Sequence, residues 1–256
     1  MKWGNFSITH IISLLLVPVI FFVLYYVLRN KSNKTKTIVL FILSLTGISA
    51  IIFNLIYWKS PLEYLPLHMC SIQAMLIPVL VITKKNWLGN LLNLWSFGAL
   101  IALFANYVQA DLEIFSWPFV MYYFPHIFEF VVPLLLAVFK MVDVNKKYFW
   151  NTLSLTIIIY TVVHFCNVII NDITLSNTIL DKYGEIIKVN YMYSVYPANP
   201  LLELFYRIIP LEYFYIFLAT PLVVLYLFGL YKLLNLITKK IEKNKEKDTK
   251  NLEVNI

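Results

Sequence analysis

Four histidines, two cysteines and a few acids and amides set within apolar runs are the residues of this 256-residue chain with chemistry to offer. His126 and Glu129 are spaced i,i+3, so on a helix they share a face. A carboxylate beside an imidazole fixes its tautomer and raises its basicity, the relation of base to orienting acid in nucleophilic catalysis. His164 and Asn167 repeat the spacing, and so do Cys70 and Gln73. His68 and Cys70 lie about 200° apart around a regular helix. Both point inward only if that helix begins late, and Pro66 favours a late or distorted start.

The elements that must position these side chains are apolar. The chain is 60% hydrophobic and 14% charged, against about 45–50% and about 25% in soluble proteins. Its mean hydropathy is +0.73. Too little charge is present to cover a water-facing surface, and 19 Phe, 18 Tyr and 6 Trp are too many for a disordered chain. A helix that crosses a bilayer takes about 20 apolar residues. There is room for about seven such spans and little else, which excludes a nucleic-acid enzyme, a disulfide-stapled secreted scaffold and a cytosolic dehydrogenase. The two cysteines form no CxxC pair and report no redox compartment.

The reading is all-α: a polytopic transmembrane helix bundle with spans at ~9–28, ~37–58, ~65–83, ~88–107, ~119–140, ~148–171 and ~210–236. The first run is too long for a signal peptide, contains Pro18 and lacks a small-residue cleavage site. Sixteen of the 21 lysines and arginines fall in the first, third and fifth connections and from Lys232 onward. That bias predicts an external N-terminus and a cytoplasmic, Lys-rich tail at 239–256, in the cell membrane. The bundle is expected to occupy 1–238. The connection at ~172–209 is long and rich in aromatics, and long structureless loops are uncommon unless functional. It is expected to lie in the interface or to fold over the outer mouth as a lid. Pro66-Leu67-His68 and Pro125-His126 open two similar stretches, a weak sign of internal duplication.

All four histidines fall toward the external side, and at 1.5 Å rise per residue His68, His126 and His164 share one layer about 10 Å deep, with Cys70 among them. Ionisable groups within spans are costly and mark functional candidates. Each also has a plainer reading. A membrane histidine is often an interhelical hydrogen-bond partner worth about 1 kcal/mol, which suits His10 best and His164 next. It suits His126 least, because Glu129 accompanies it. A buried cysteine is usually an inert small hydrophobe; that fits Cys166 better than Cys70, which neighbours His68 and Ser71.

Three stretches carry a resemblance to a known family: Tyr64-Leu65-Pro66-Leu67-His68-Met69-Cys70-Ser71; His126 with Glu129 and Pro133; and Val189-Asn190-Tyr191-Met192-Tyr193 followed by Pro200-Leu201-Leu202-Glu203. Together they resemble the YwaF-like, or transmembrane-protein-164, family of integral membrane proteins, over about residues 60–215. The resemblance implies a membrane acyltransferase that remodels phospholipid chains through a cysteine acyl-enzyme. It then implies Cys70 as nucleophile by its place in Pro-Leu-His-x-Cys, His126 as base and His68 as support for the site or its oxyanion. Asn190 and Tyr191 would belong to the lid or acceptor site, with Glu129, His164 and Asn167 as further substrate-binding residues. Membrane phospholipids are the expected partners, and no nucleic acid and no cofactor are expected.

That chemistry is sensible at this depth, because lipid esters lie just below the headgroups and acyl chains can enter between helices. A buried thiol needs a cationic or hydrogen-bonding partner to react. Two other classes remain open. A small-solute transporter or substrate-capture subunit would use amides such as Asn90, Asn93, Asn106, Gln109 and Asn167 as its path; no GxxxxGK[ST] motif is present to power it. A metal site from His68, Cys70, His126, Glu129 and His164 has zinc-like residue types but no compact motif such as HExxH, so none is expected.

Overall fold

The computed structural model describes residues 1–105, 109–181 and 183–254, with side chains as far as residue 237. Its helices are α1 (Ile8–Leu28), α2 (Asn33–Tyr57), α3 (Met69–Thr83), α4 (Asn86–Phe104), α5 (Trp117–Val138), α6 (Phe149–Ser176), the short α7 (Pro200–Ile208) and α8 (Thr220–Val254). Among the described residues there are no strands, only two isolated bridges. Six helical segments among the described residues are long and apolar enough to cross a membrane, and α3 is a shorter apolar helix. The chain is therefore a polytopic helical bundle.

Local signals account for most helix starts. Ser7, Ser32 and Ser116 are N-caps whose side chains accept from the amides of His10, Thr35 and Phe119. Asn199 caps α7, which opens on Pro200. Helix α3 has no side-chain cap: His68 sits at its N-cap in extended conformation (φ −68°, ψ 149°). The helix therefore begins at Met69, four residues later than the ~65 read from hydropathy, because Pro66 and the extended His68 hold the approach out of helix. At 15 residues α3 is about 22 Å long, short of a hydrocarbon core of about 30 Å.

Other boundaries also moved. Helix α6 continues to Ser176 rather than ~171. A 3-10 turn at Tyr215–Ala219 precedes α8, so the last span starts later than ~210, after the Pro210 break. Helix α8 runs on through the lysine-rich stretch to Val254.

The core lies between α3, α4 and α5. Leu80, Leu92, Leu103, Ile127, Val131, Val132, Leu135 and Leu136 are fully buried. More than half of the span is buried in α4 (61%) and α5 (56%), against 17–22% in α1, α2, α6 and α8. The first two are central, and the others present apolar faces outward, as lipid-facing helices do. The N-terminus is tucked in: Trp3 is fully buried and donates its indole N–H to Ser13 at 2.9 Å, and Lys2 pairs with Asp111 at 2.6 Å.

Helices α2, α3 and α5 meet closely at Gly47. A Cβ there would stand 2.6 Å from the Ala74 Cβ and 3.7 Å from Glu129 Oε1. Overpacking a filled core costs about 1–3 kcal/mol. Gly47→Leu is therefore expected to lower the unfolding midpoint in detergent. Gly229→Ala, with open space at the same point, is expected not to.

Candidate active site

Cys70 occupies the first turn of α3. The amide of Ile72 is the first to reach back within the helix, to the His68 carbonyl at 3.0 Å. The amides of Met69, Cys70 and Ser71 precede that point and have no carbonyl a turn earlier to meet. They leave donors and the positive end of the helix dipole around the thiol.

Helix α5 supplies the other groups. One ligand atom each from Cys70, His126 and Glu129 lies within 4.8 Å of the others. The two helices are tied beside this cluster by Gln73, whose amide nitrogen donates to the Glu129 carbonyl at 2.8 Å. His126 Nδ1 stands 2.6 Å from the Tyr122 carbonyl. A carbonyl only accepts, so Nδ1 carries the proton and Nε2 keeps a free lone pair. The orienting acceptor for this imidazole is thus a backbone oxygen one turn back, and not the Glu129 carboxylate that the i,i+3 spacing suggested. Glu129 is 4% exposed. Its Oε2 has no hydrogen-bond partner among the described residues. Cys70 and His126 are half-buried.

The connection after α6 covers this region. Asn167, fully buried, accepts from the Tyr191 amide at 2.9 Å and donates to the Tyr191 carbonyl and to Ser194 Oγ, both at 2.8 Å. One turn on, Asn171 brackets Val189 in the same way, at 2.7 and 3.0 Å. Thr174 then donates to the Ile187 carbonyl at 2.8 Å. This polar face of α6 does for an extended backbone what a neighbouring strand does in a sheet. Asn190 folds back on the amides of Val195 and Tyr196. Met192 and Tyr193 follow in left-handed conformation (φ 53° and 56°). The Tyr191 hydroxyl donates to the Leu62 carbonyl, and the Tyr215 hydroxyl to that of Tyr193. Val163, Ile187, Val189 and Tyr191 form a small core of their own, packed on Leu62, Leu65 and Leu67. Burial first, and the nearby Cys70 second, push the Tyr193 phenol above its ordinary pKa. It stays protonated at neutral pH.

A family model described as the TMEM164 family matches residues 5–231. The chain belongs to the TMEM164 family. No curated protein and no solved structure matches it.

In this TMEM164 family member the residues singled out from sequence divide into two groups. Cys70, His126 and Glu129 come together. His68, Tyr191, Asn190, Asn167 and His164 belong to the cover. His68 Nδ1 accepts from the Met192 amide at 3.4 Å, with its ring against those of Tyr191 and Tyr193. His164 Nδ1 meets Ser194 Oγ at 3.1 Å. The late start of α3 lets His68 and Cys70 both face inward, toward different neighbours. His10 is a buried hydrogen-bond partner, its Nε2 2.8 Å from the Leu103 carbonyl. Of the amides considered as a solute path, Asn90 donates to the Asn86 and Asp143 carbonyls and Asn93 to those of Gly89 and Pro133. Asn106 lies outside the described residues.

Sequence reasoning missed Tyr122, Asn171 and Ser194. The i,i+4 spacing of Tyr122 to His126, and of Asn167 to Asn171, was the signal for two of them. Nothing local marks Ser194.

Proposed function

We propose that this protein is a membrane acyltransferase that exchanges phospholipid acyl chains through a thioester on Cys70. The observation that carries the reading is the approach of Cys70, His126 and Glu129, from two helices, to within 4.8 Å. In the first step the thiol proton passes to His126 Nε2 and the sulfur attacks the ester carbonyl of a phospholipid. The tetrahedral oxyanion draws on the amides of the first turn of α3. Its collapse breaks the ester C–O bond, and the departing alkoxide takes the proton from His126 as lysophospholipid leaves. In the second step an acceptor hydroxyl gives its proton to His126 and attacks the thioester, which frees the thiol. Glu129 closes the inner side of the cluster. The cover built from Asn190, Tyr191, Met192 and Tyr193 bounds the space for the acceptor.

Depth supports this reading. With α3 short, its first turn is expected to lie below the bilayer surface, at about the level of lipid esters. By the positive-inside rule the lysine-rich connections are expected to be cytoplasmic, with Cys70 toward the external leaflet. The test is mass spectrometry of the purified protein after incubation in phospholipid nanodiscs. A hydroxylamine-labile adduct of acyl mass is expected on the peptide that contains Cys70. Lysophospholipid release with Cys70 unmodified at every time point would overturn the mechanism.

A further inference from the structure

We propose that the Cys70, His126 and Glu129 cluster is also a binding site for zinc(II), and that the ion inhibits the protein by occupying the groups the acyl reaction needs. The binding half stands on geometry alone; the inhibition rests on the function proposed above.

The donor set is one sulfur, one imidazole nitrogen and one carboxylate oxygen. Three such protein ligands with an open fourth position are the pattern of accessible zinc sites. The donors already lie within 4.8 Å of one another. Bond lengths of about 2.0–2.3 Å require donor separations of about 3.3–3.8 Å, so closure of about 1 Å suffices. His126 is oriented for the task. Its Nδ1–H goes to the Tyr122 carbonyl at 2.6 Å, which leaves Nε2 as the ring nitrogen with a lone pair to offer a metal. Metal-bound histidines characteristically donate their second nitrogen to a backbone carbonyl or carboxylate in this way.

Charge makes the same case. The buried Glu129 has one oxygen without a partner among the described residues. A lone carboxylate in an apolar interior is costly. A divalent ion held by a thiolate, a carboxylate and a neutral imidazole gives a site of zero net charge. Binding displaces the thiol proton and the proton that neutralises the buried Glu129 carboxyl to solvent, forms Zn–S, Zn–N and Zn–O bonds and changes no oxidation state. A sulfur ligand selects zinc over magnesium and calcium, which require oxygen donors. Cys70 and His126 are half-buried, which leaves the cluster an approach.

The test uses the full chain in detergent micelles with its purification tag removed. Titration with zinc chloride is expected to give one ion per chain with release of about two protons, from Cys70 and Glu129, and magnesium chloride none. Cys70→Ser, His126→Gln and Glu129→Gln are each expected to weaken zinc binding at least tenfold. Cys166→Ser is expected to leave it unchanged. Thermal unfolding midpoints within a few degrees show that the variants are folded, and the near-isosteric Glu129→Gln is the decisive one. Zinc is also expected to protect Cys70 from alkylation by N-ethylmaleimide. Unchanged zinc affinity in Cys70→Ser and Glu129→Gln overturns the site. Zinc that binds but leaves acyl labelling unaltered, or labelling that a chelator abolishes, overturns the inhibition. Zinc binding without acyl labelling under any condition sustains the site and removes the acyl mechanism instead.

Discussion

Cys70→Ser protein in phospholipid nanodiscs is expected to form no thioester and to release no lysophospholipid above background. His126→Gln is expected to retain the adduct but to form it about 10²–10⁴ times more slowly. The difference follows from the two roles. Serine fills the same space, so the bundle is kept, but its hydroxyl is a far weaker nucleophile than a thiol at neutral pH. Removal of a general base leaves the nucleophile and the oxyanion donors in place and costs about 10²–10⁴ in rate. The measurements are adduct mass against time and lysophospholipid release, with unfolding midpoints as the control for folding. A Cys70→Ser protein as active as its parent would end the mechanism. An unchanged rate in His126→Gln would remove His126 from it.

The second large effect is expected at a residue that touches neither the thiol nor the imidazole. Asn167→Leu deletes three hydrogen bonds and leaves both backbone groups of Tyr191 buried without their partner. Each buried orphan costs about 1–3 kcal/mol, so the connection loses about 2–6 kcal/mol of attachment to α6. Its neighbouring anchors at Asn171 and Thr174 remain. The expected result is local opening rather than collapse of the bundle. Protease cleavage between residues 187 and 196 and alkylation of Cys70 by N-ethylmaleimide should both accelerate about tenfold or more. Unchanged rates of cleavage and alkylation would show that α6 does not hold the cover in place.

The bundle was largely legible because its signal is strong and local. A run such as Ile8–Leu28 is apolar throughout, and a lipid-exposed backbone at that depth has no alternative to helix. The start of α3 was only half legible. Pro66 announced an irregular approach, but hydropathy cannot see that His68 stays extended while Met69 turns helical. Within the site, i,i+3 spacing placed His126 and Glu129 on one face. The partner of that face is a matter of tertiary packing: Cys70 lies on another helix, and its proximity was expected from family likeness rather than from periodicity. The tautomer of His126 was misassigned to Glu129 because spacing reports side chains, whereas the acceptor is the Tyr122 carbonyl. The same limit hid the ladder on α6. The spacing of His164 and Asn167 marked a polar face, but its partners lie 13 to 30 residues further along the chain.

The attachment of the cover to α6 and to the Leu62 carbonyl has a consequence for biosynthesis. Cys70 and His126 have both left the ribosome long before Tyr191. A nascent chain therefore carries the thiol beside the imidazole, unroofed, while the final third is still being made. A chain that terminates after α6 lacks Tyr191 and Tyr193 and leaves the cluster without the segment that covers it.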